Sequence, residues 1–155
     1  MFEQHNLYYQ KLVYTPTEKI YLIGGAKDKQ VGTVISDCYE MTEEEGALVP
    51  NERKGLNVAR ASFGCVVNEM YDKIIVAGGL IGGGNVGQEC EWYDIGKNTW
   101  NNFASLADKR FSLSLCLFNE SDLFAFAGID ASKKLTNTIQ RISNWSAAGS
   151  VWEVL

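Results

Sequence analysis

Three short β-rich runs in this chain end in glycine at nearly even intervals. They are Ile20-Tyr21-Leu22-Ile23-Gly24-Gly25, Ile74-Ile75-Val76-Ala77-Gly78-Gly79 and Leu123-Phe124-Ala125-Phe126-Ala127-Gly128. The final glycines stand at 25, 79 and 128, giving steps of 54 and 49 residues. Other positions repeat in phase. Arg60 and Arg110 head apolar runs 50 residues apart, and Trp100 and Trp152 are 52 apart. Tyr39, Tyr93 and Ile142 each follow the last glycine by 14, with Asp37, Glu91 and Gln140 two residues before them. A period near 50 with several positions in register constrains the chain to a stack of similar units.

Within each period the pattern is all β. Runs of four to seven residues rich in Val, Ile, Leu, Phe and Tyr alternate with polar or glycine turns. No stretch sustains the 3.6-residue period of a helix. Strands are expected near 7–14, 19–24, 34–40, 46–49, 62–68, 72–78, 88–94, 99–103, 111–118, 122–127, 138–143 and 150–154, twelve in three sets of four. The fourth is the weakest, a short apolar island between Glu43-Glu44-Glu45 and Asn51-Glu52-Arg53-Lys54.

A strand closed by two glycines, a Tyr 14 residues on, a Trp seven beyond it and an Arg opening the next strand resemble the kelch motif. The middle unit carries it best, in Arg60, Gly78-Gly79, Glu91-Trp92-Tyr93-Asp94 and Asn98-Thr99-Trp100. The resemblance covers essentially the whole chain. It implies an all-β fold of three four-stranded antiparallel blades forming a partial β-propeller. Residues 1–155 are then a single array, with blade 1 at about 7–50, blade 2 at about 60–104 and blade 3 at about 110–155. The first unit lacks the Trp, with Leu48 the expected substitute. The third has Ala127 for the first glycine, Ile142 for the Tyr, and Trp152 ten residues beyond Ile142.

Scaffold roles are expected for the motif residues Gly24, Gly25, Tyr39, Gly78, Gly79, Tyr93, Trp100, Gly128 and Trp152. The glycines admit close backbone approach, and the aromatics fill the space between sheets. Arg60 and Arg110 have enough donors to span adjacent blades. Closed propellers have about four to eight blades, so three leave two open edges. A second copy, a different chain or a longer propeller could close the ring, and symmetric pairing is the favoured solution.

Charge narrows the function. With 14 Lys+Arg against 19 Asp+Glu the net charge is -5, and no basic stretch offers nucleic acid a footprint. The apolar runs are far too short to cross a bilayer as a helix. Met1 to Asn6 lacks the start of a signal peptide, so a cytoplasmic chain is expected, cytoskeleton-associated if it serves in an assembly. Cys38, Cys65, Cys90 and Cys116 include no CxxC pair and no neighbouring histidine. An even count allows two disulfides, but free thiols are expected, with no metal or other cofactor. Gly82, Gly84 and Gly87 spell GxGxxG, but Gln88 to Asp94 reads as a strand where a dinucleotide site needs a helix. The single histidine, His5, sits at the terminus and makes a catalytic triad a poor expectation.

Binding remains. The loops after the glycine doublets, Lys27-Asp28-Lys29-Gln30, Ile81 to Asn85 and Asp130 to Lys134, gather positive charge on an acidic chain. The resemblance implies that Arg60, Ser62, Arg110 and Ser112, with Lys27, Lys29, Asn85, Lys133 and Lys134, line a pocket for an acidic protein segment. The expected function is a non-enzymatic scaffold that binds a protein partner through these loops or its open blade edges. A structural part of a larger assembly and a propeller enzyme are the alternatives.

Overall fold

The computed structural model describes residues 7–15, 19–70 and 72–155; His5 and the rest of the first six residues lie outside it. Three four-stranded antiparallel sheets follow one another along the chain. Blade 1 is β1 (Lys11–Thr15), β2 (Lys19–Ile23), β3 (Cys38–Glu44) and β4 (Ala47–Arg53). Blade 2 has β5 (Gly64–Val67) and β6 (Lys73–Ala77), then a ribbon of β7 (Leu80–Ile81) and β8 (Asn85–Val86), then β9 (Cys90–Asp94) and β10 (Thr99–Phe103).

Blade 3 is preceded by β11 (Arg110–Phe111) and comprises β12 (Ser114–Phe118), β13 (Asp122–Phe126), β15 (Ile139–Ile142) and β16 (Trp152–Val154). The short β14 (Ile129–Asp130) pairs with β11. Each blade runs in simple meander order, with β1, β5 and β12 innermost and β5 touching both of the others.

The blade strands match the expected twelve in order, with shifted ends. The fourth is the largest departure, since β4 is seven residues long and pairs with β3 as far as Ala47. Its charged residues sit on an outermost strand where water reaches them, so they do not interrupt pairing. Pro50 is tolerated there because an edge strand needs no further backbone donor. The two ribbons were not legible as strands, being two residues per arm.

Burial follows position in the stack. In β6, Ile74, Ile75, Val76 and Ala77 are all fully buried, because blade 2 is covered on both faces. The strands β2 and β13 bury alternate residues, because blades 1 and 3 are covered on one face only. Two apolar clusters fill the seams. One joins Tyr21, Ile23 and Cys38 of blade 1 to Phe63, Ile74, Tyr93 and Trp100 of blade 2. The other joins Ile75, Ala77 and Cys90 of blade 2 to Leu123, Ala125, Ile142 and Trp152 of blade 3. All four thiols are free, and burial pushes those of Cys38, Cys65 and Cys90 up to about 12.

Candidate functional site

The two repeated arginines are fully buried. Arg60 Nε donates to Val58 O, Nη1 to Gly78 O (2.8 Å) and Glu89 O (2.7 Å), and Nη2 to Glu91 Oε1 (2.6 Å). The Glu91 carboxylate also accepts the Asn57 and Val58 amides at 2.7 and 3.1 Å. The side chains thus tie the linker leaving blade 1 into blade 2. The Arg60 carbonyl faces the other way and accepts Gly25 N–H at 2.9 Å. Blade 3 repeats the device with the charge moved. Gln140 stands where Glu91 does and donates to Asp108, whose carboxylate accepts Arg110 Nε and Nη2. Arg110 Nη1 reaches Ala127 O and Thr138 O, and its carbonyl accepts Gly79 N–H at 2.9 Å.

This geometry departs from the expectation that the arginines line a pocket. A guanidinium has five N–H donors; Arg60 uses four on its own chain and Arg110 all five, with no surface left for a ligand. Breaking such a buried pair leaves an uncompensated charge, so both act as clamps on the seams. The glycines before them have the same cause. A Cβ on Gly24 would lie 2.6 Å from Arg60 O, and one on Gly78 closer still to Arg110 O.

Ser62 and Ser112 are placed by the same linkers. Ser62 N–H donates to Tyr9 O at 3.1 Å and Ser112 N–H to Ser62 O at 2.7 Å. All three residues have positive φ, at 58, 52 and 53°. They form a backbone ladder that steps from blade to blade beside the innermost strands.

Tyr39 occupies a different place from Tyr93. Gly24 N–H bonds to Asp37 O, thirteen residues on, whereas Gly78 N–H bonds to Glu89 O, eleven on. The first loop is therefore two residues longer, and Tyr39 pairs with Leu22 at the register of Glu91, with Met41 at that of Tyr93. Pro50, opposite Met41, takes the place of Trp100, opposite Tyr93. Leu48 pairs with Glu43 near the turn and is 58% exposed, so it does not replace the Trp. Trp100 and Trp152 themselves donate their indole N–H to Lys54 O and Ala104 O, one residue past the last strand of the preceding blade.

The glycine-doublet loops all leave the same end of the blades, since each joins the second strand to the third. Lys27, Lys29, Asn85, Lys133 and Lys134 are exposed on them. The acids nearby are occupied with turns: Asp28 accepts the Gly32 and Thr33 amides, both at 2.9 Å, and Asp130 those of Ser132 and Lys134. The Gly32 and Thr33 amides hold the Asp28 carboxyl below the usual carboxylate range. Among the described residues, none of these four lysines nor Lys109 is in an ion pair.

Between the second and third loops lies a pocket of about 300 Å³ lined by Ile81, Gly84, Asn85, Val86, Lys109, Ala131 and Lys133. Lys133 Nζ lies 5.3 Å from the Phe111 ring centroid and donates to Gly84 O at 3.4 Å. Lys109 was missed in the sequence; its place beside the repeated Arg110 was the available signal. The Gly82–Gly84 stretch is a single 3-10 turn between β7 and β8, and a strand, not an α-helix, follows it.

Comparison with known proteins agrees with these repeats. The Kelch motif family matches residues 61–107, the span from Ala61 through all of blade 2. Kelch-like protein 41a of Danio rerio is 32% identical over 109 residues, which is 70% of this chain and 17% of that protein. The solved structure of YjhT superposes on 99% of this chain with a TM-score of 0.74 and 16% identity, and this chain covers 46% of it. That likeness shows the fold. The chain spans less than half the length of either protein.

Proposed function

Since this chain is a kelch-repeat protein, we propose that it is a non-enzymatic interaction module whose loop face takes an acidic segment of a protein partner. The observation that carries the reading is the gathering, at one end of an acidic chain, of lysines that form no ion pair among the described residues. Lys109 and Lys133 frame a pocket with Asn85, and Lys27, Lys29 and Lys134 extend the positive surface on either side. The neighbouring carboxylates of Asp28 and Asp130 stay ionised but are turned onto backbone amides of their own loops and form no ion pair with these lysines among the described residues. Charge arranged in this way sets partner choice and association rate more than affinity. Arg110 fixes the linker that carries Lys109.

The test is fluorescence anisotropy with a labelled Asp/Glu-rich peptide and a neutral peptide of equal length. The acidic peptide is expected to bind with an affinity that falls as salt rises. Lys109→Glu with Lys133→Glu should weaken it by about tenfold. Equal binding of the neutral peptide, or an unaffected double variant, would overturn the reading.

A further inference from the structure

The outer faces of blades 1 and 3 carry the same positions that are buried in the two internal seams. Ile75 and Ala77 are fully buried against blade 3. Their counterparts on blade 3 are less covered: Phe126 is 37% exposed and Phe124 half-buried under the Arg141 guanidinium, with the two rings stacked at 6.1 Å. At the other end, Ile20, Leu22 and Met41 are half-buried where Ile74, Val76 and Tyr93 are buried. A pocket of about 480 Å³ lined by Tyr14, Ile20, Met41 and Leu48, among others, opens on this face.

Two departures from the repeat fall on these faces, and they are the two halves of one contact. In both internal seams a backbone carbonyl of a clamped arginine lies against the first glycine of a doublet and accepts the N–H of the second. On blade 3 the first glycine is Ala127, exposed and at φ 52°. A carbonyl arriving in the usual register would collide with its Cβ. Only a lead-in segment able to shift can pack there, and a buried arginine prevents that shift. The bridges Tyr8 to Ala26, Ala61 to Leu80 and Phe111 to Ile129 align Leu7 with Arg60 and Arg110. Blade 1 has Leu7 at that place and therefore lacks the side-chain clamp that fixes the carbonyl in the internal seams.

Charge agrees. Trp92 meets Trp145 across the second seam, at 6.1 Å between ring centroids. The counterpart of Trp92 on blade 3 is Arg141, opposite Phe124 as Trp92 is opposite Ile75. The counterpart of Trp145 in blade 2 is Ile95, each amide bonding to the residue before its blade's second strand. In blade 1 that place falls on Glu43, two residues beyond Met41 as Ile95 is beyond Tyr93. The free face of blade 3 thus presents Arg141, its side chain 40% exposed and already bonded through Nε and Nη2 to Asp122 of its own blade, where that of blade 1 presents the exposed Glu43 as a second carboxylate for the same guanidinium.

We propose that blade 3 of one copy packs on blade 1 of a second copy, and the reverse, closing a two-fold ring of six blades. Two copies supply about the length of chain found in the YjhT structure, of which one copy covers 46%. The rotation closes, so no open edge is left to propagate. The backbone ladder continues through the new seam, with Tyr9 N–H of one copy donating to Ser112 O of the other. This pairing uses blade faces and not the lysine loops, so it stands or falls apart from peptide binding.

Light scattering on the wild-type chain should give a mass of about 34 kDa, twice 17.2 kDa, at micromolar concentration. Arg141→Glu and Glu43→Arg should each weaken pairing by about tenfold. A mixture of the two single variants should restore it, because both seams of the mixed ring then join opposite charges. Cys116, on the free face of blade 3 at the position of Val66, gives a reading on the unaltered chain: its labelling by a thiol reagent should slow as protein concentration rises. A 17 kDa species throughout, labelling independent of concentration, or single variants that do not rescue each other would overturn the pairing.

Discussion

At the scale of the residue, each repeated arginine works in two directions: its side chain reads the blade ahead and its carbonyl reads the blade behind. Arg60→Ala should cost about 3–5 kcal/mol by leaving Glu91 buried and unpaired, while Lys27→Ala should change stability by less than about 0.5 kcal/mol. Urea denaturation of the two variants checks the contrast. A paired comparison at the doublets gives opposite signs. Gly78→Ala meets both a positive φ and the Arg110 carbonyl and should destabilise by about 1–3 kcal/mol. Ala127→Gly relieves an alanine held at φ 52° and should leave the fold at least as stable, measured by thermal unfolding of both variants.

The repeat spacing made these arginines visible as sequence signals, but spacing cannot tell a buried guanidinium from one aimed at a ligand. Asp108 was invisible for a related reason. Its carboxylate replaces one on a strand, so the same network is built from a different position, and no in-phase count finds it.

At the scale of the element, coverage decides which strands hold. β6 is enclosed on both faces and its four apolar residues are fully buried, so its amides should be the slowest to exchange in hydrogen-exchange mass spectrometry, and those of the outermost β4 among the fastest. Blade 1 carries its own acid-sensitive lock. Burial opposes the charge of Glu40, but bonds from Lys19, Arg53 and Tyr21 outweigh it and hold the carboxyl below its ordinary value of 4.5. A carboxyl depressed in the folded state stabilises fully above its unfolded value and loses that contribution as pH falls through the folded one. Stability should therefore drop below about pH 4.5, and Glu40→Gln should flatten that part of the profile in thermal melts against pH.

Strand order was legible because each run ends in an unmistakable turn. Register in blade 1 was not. Two extra residues in its first loop move Tyr39 into the place of Glu91, and counting from the glycines cannot see where a loop absorbs length.

At the scale of the molecule, the charged loop face and the apolar blade faces are separate surfaces, and their functions should come apart. Lys109→Glu with Lys133→Glu should abolish most acidic-peptide binding while leaving the native mass unchanged. Arg141→Glu should halve the mass at low concentration while the peptide still binds. Anisotropy and light scattering on the same preparations check both halves.

The arginine carbonyl also sets an order of events. A chain made from its N-terminus delivers all four strands of blade 1 before Arg60, seven residues past the end of β4. Until then the Gly25 amide has no acceptor, and until Glu91 follows, the Arg60 charge has no partner. Blade 1 is thus finished by residues of the linker, and the linker by residues of blade 2. Elongation completes each blade one step late, so the growing chain always carries one unfinished face at its newest end.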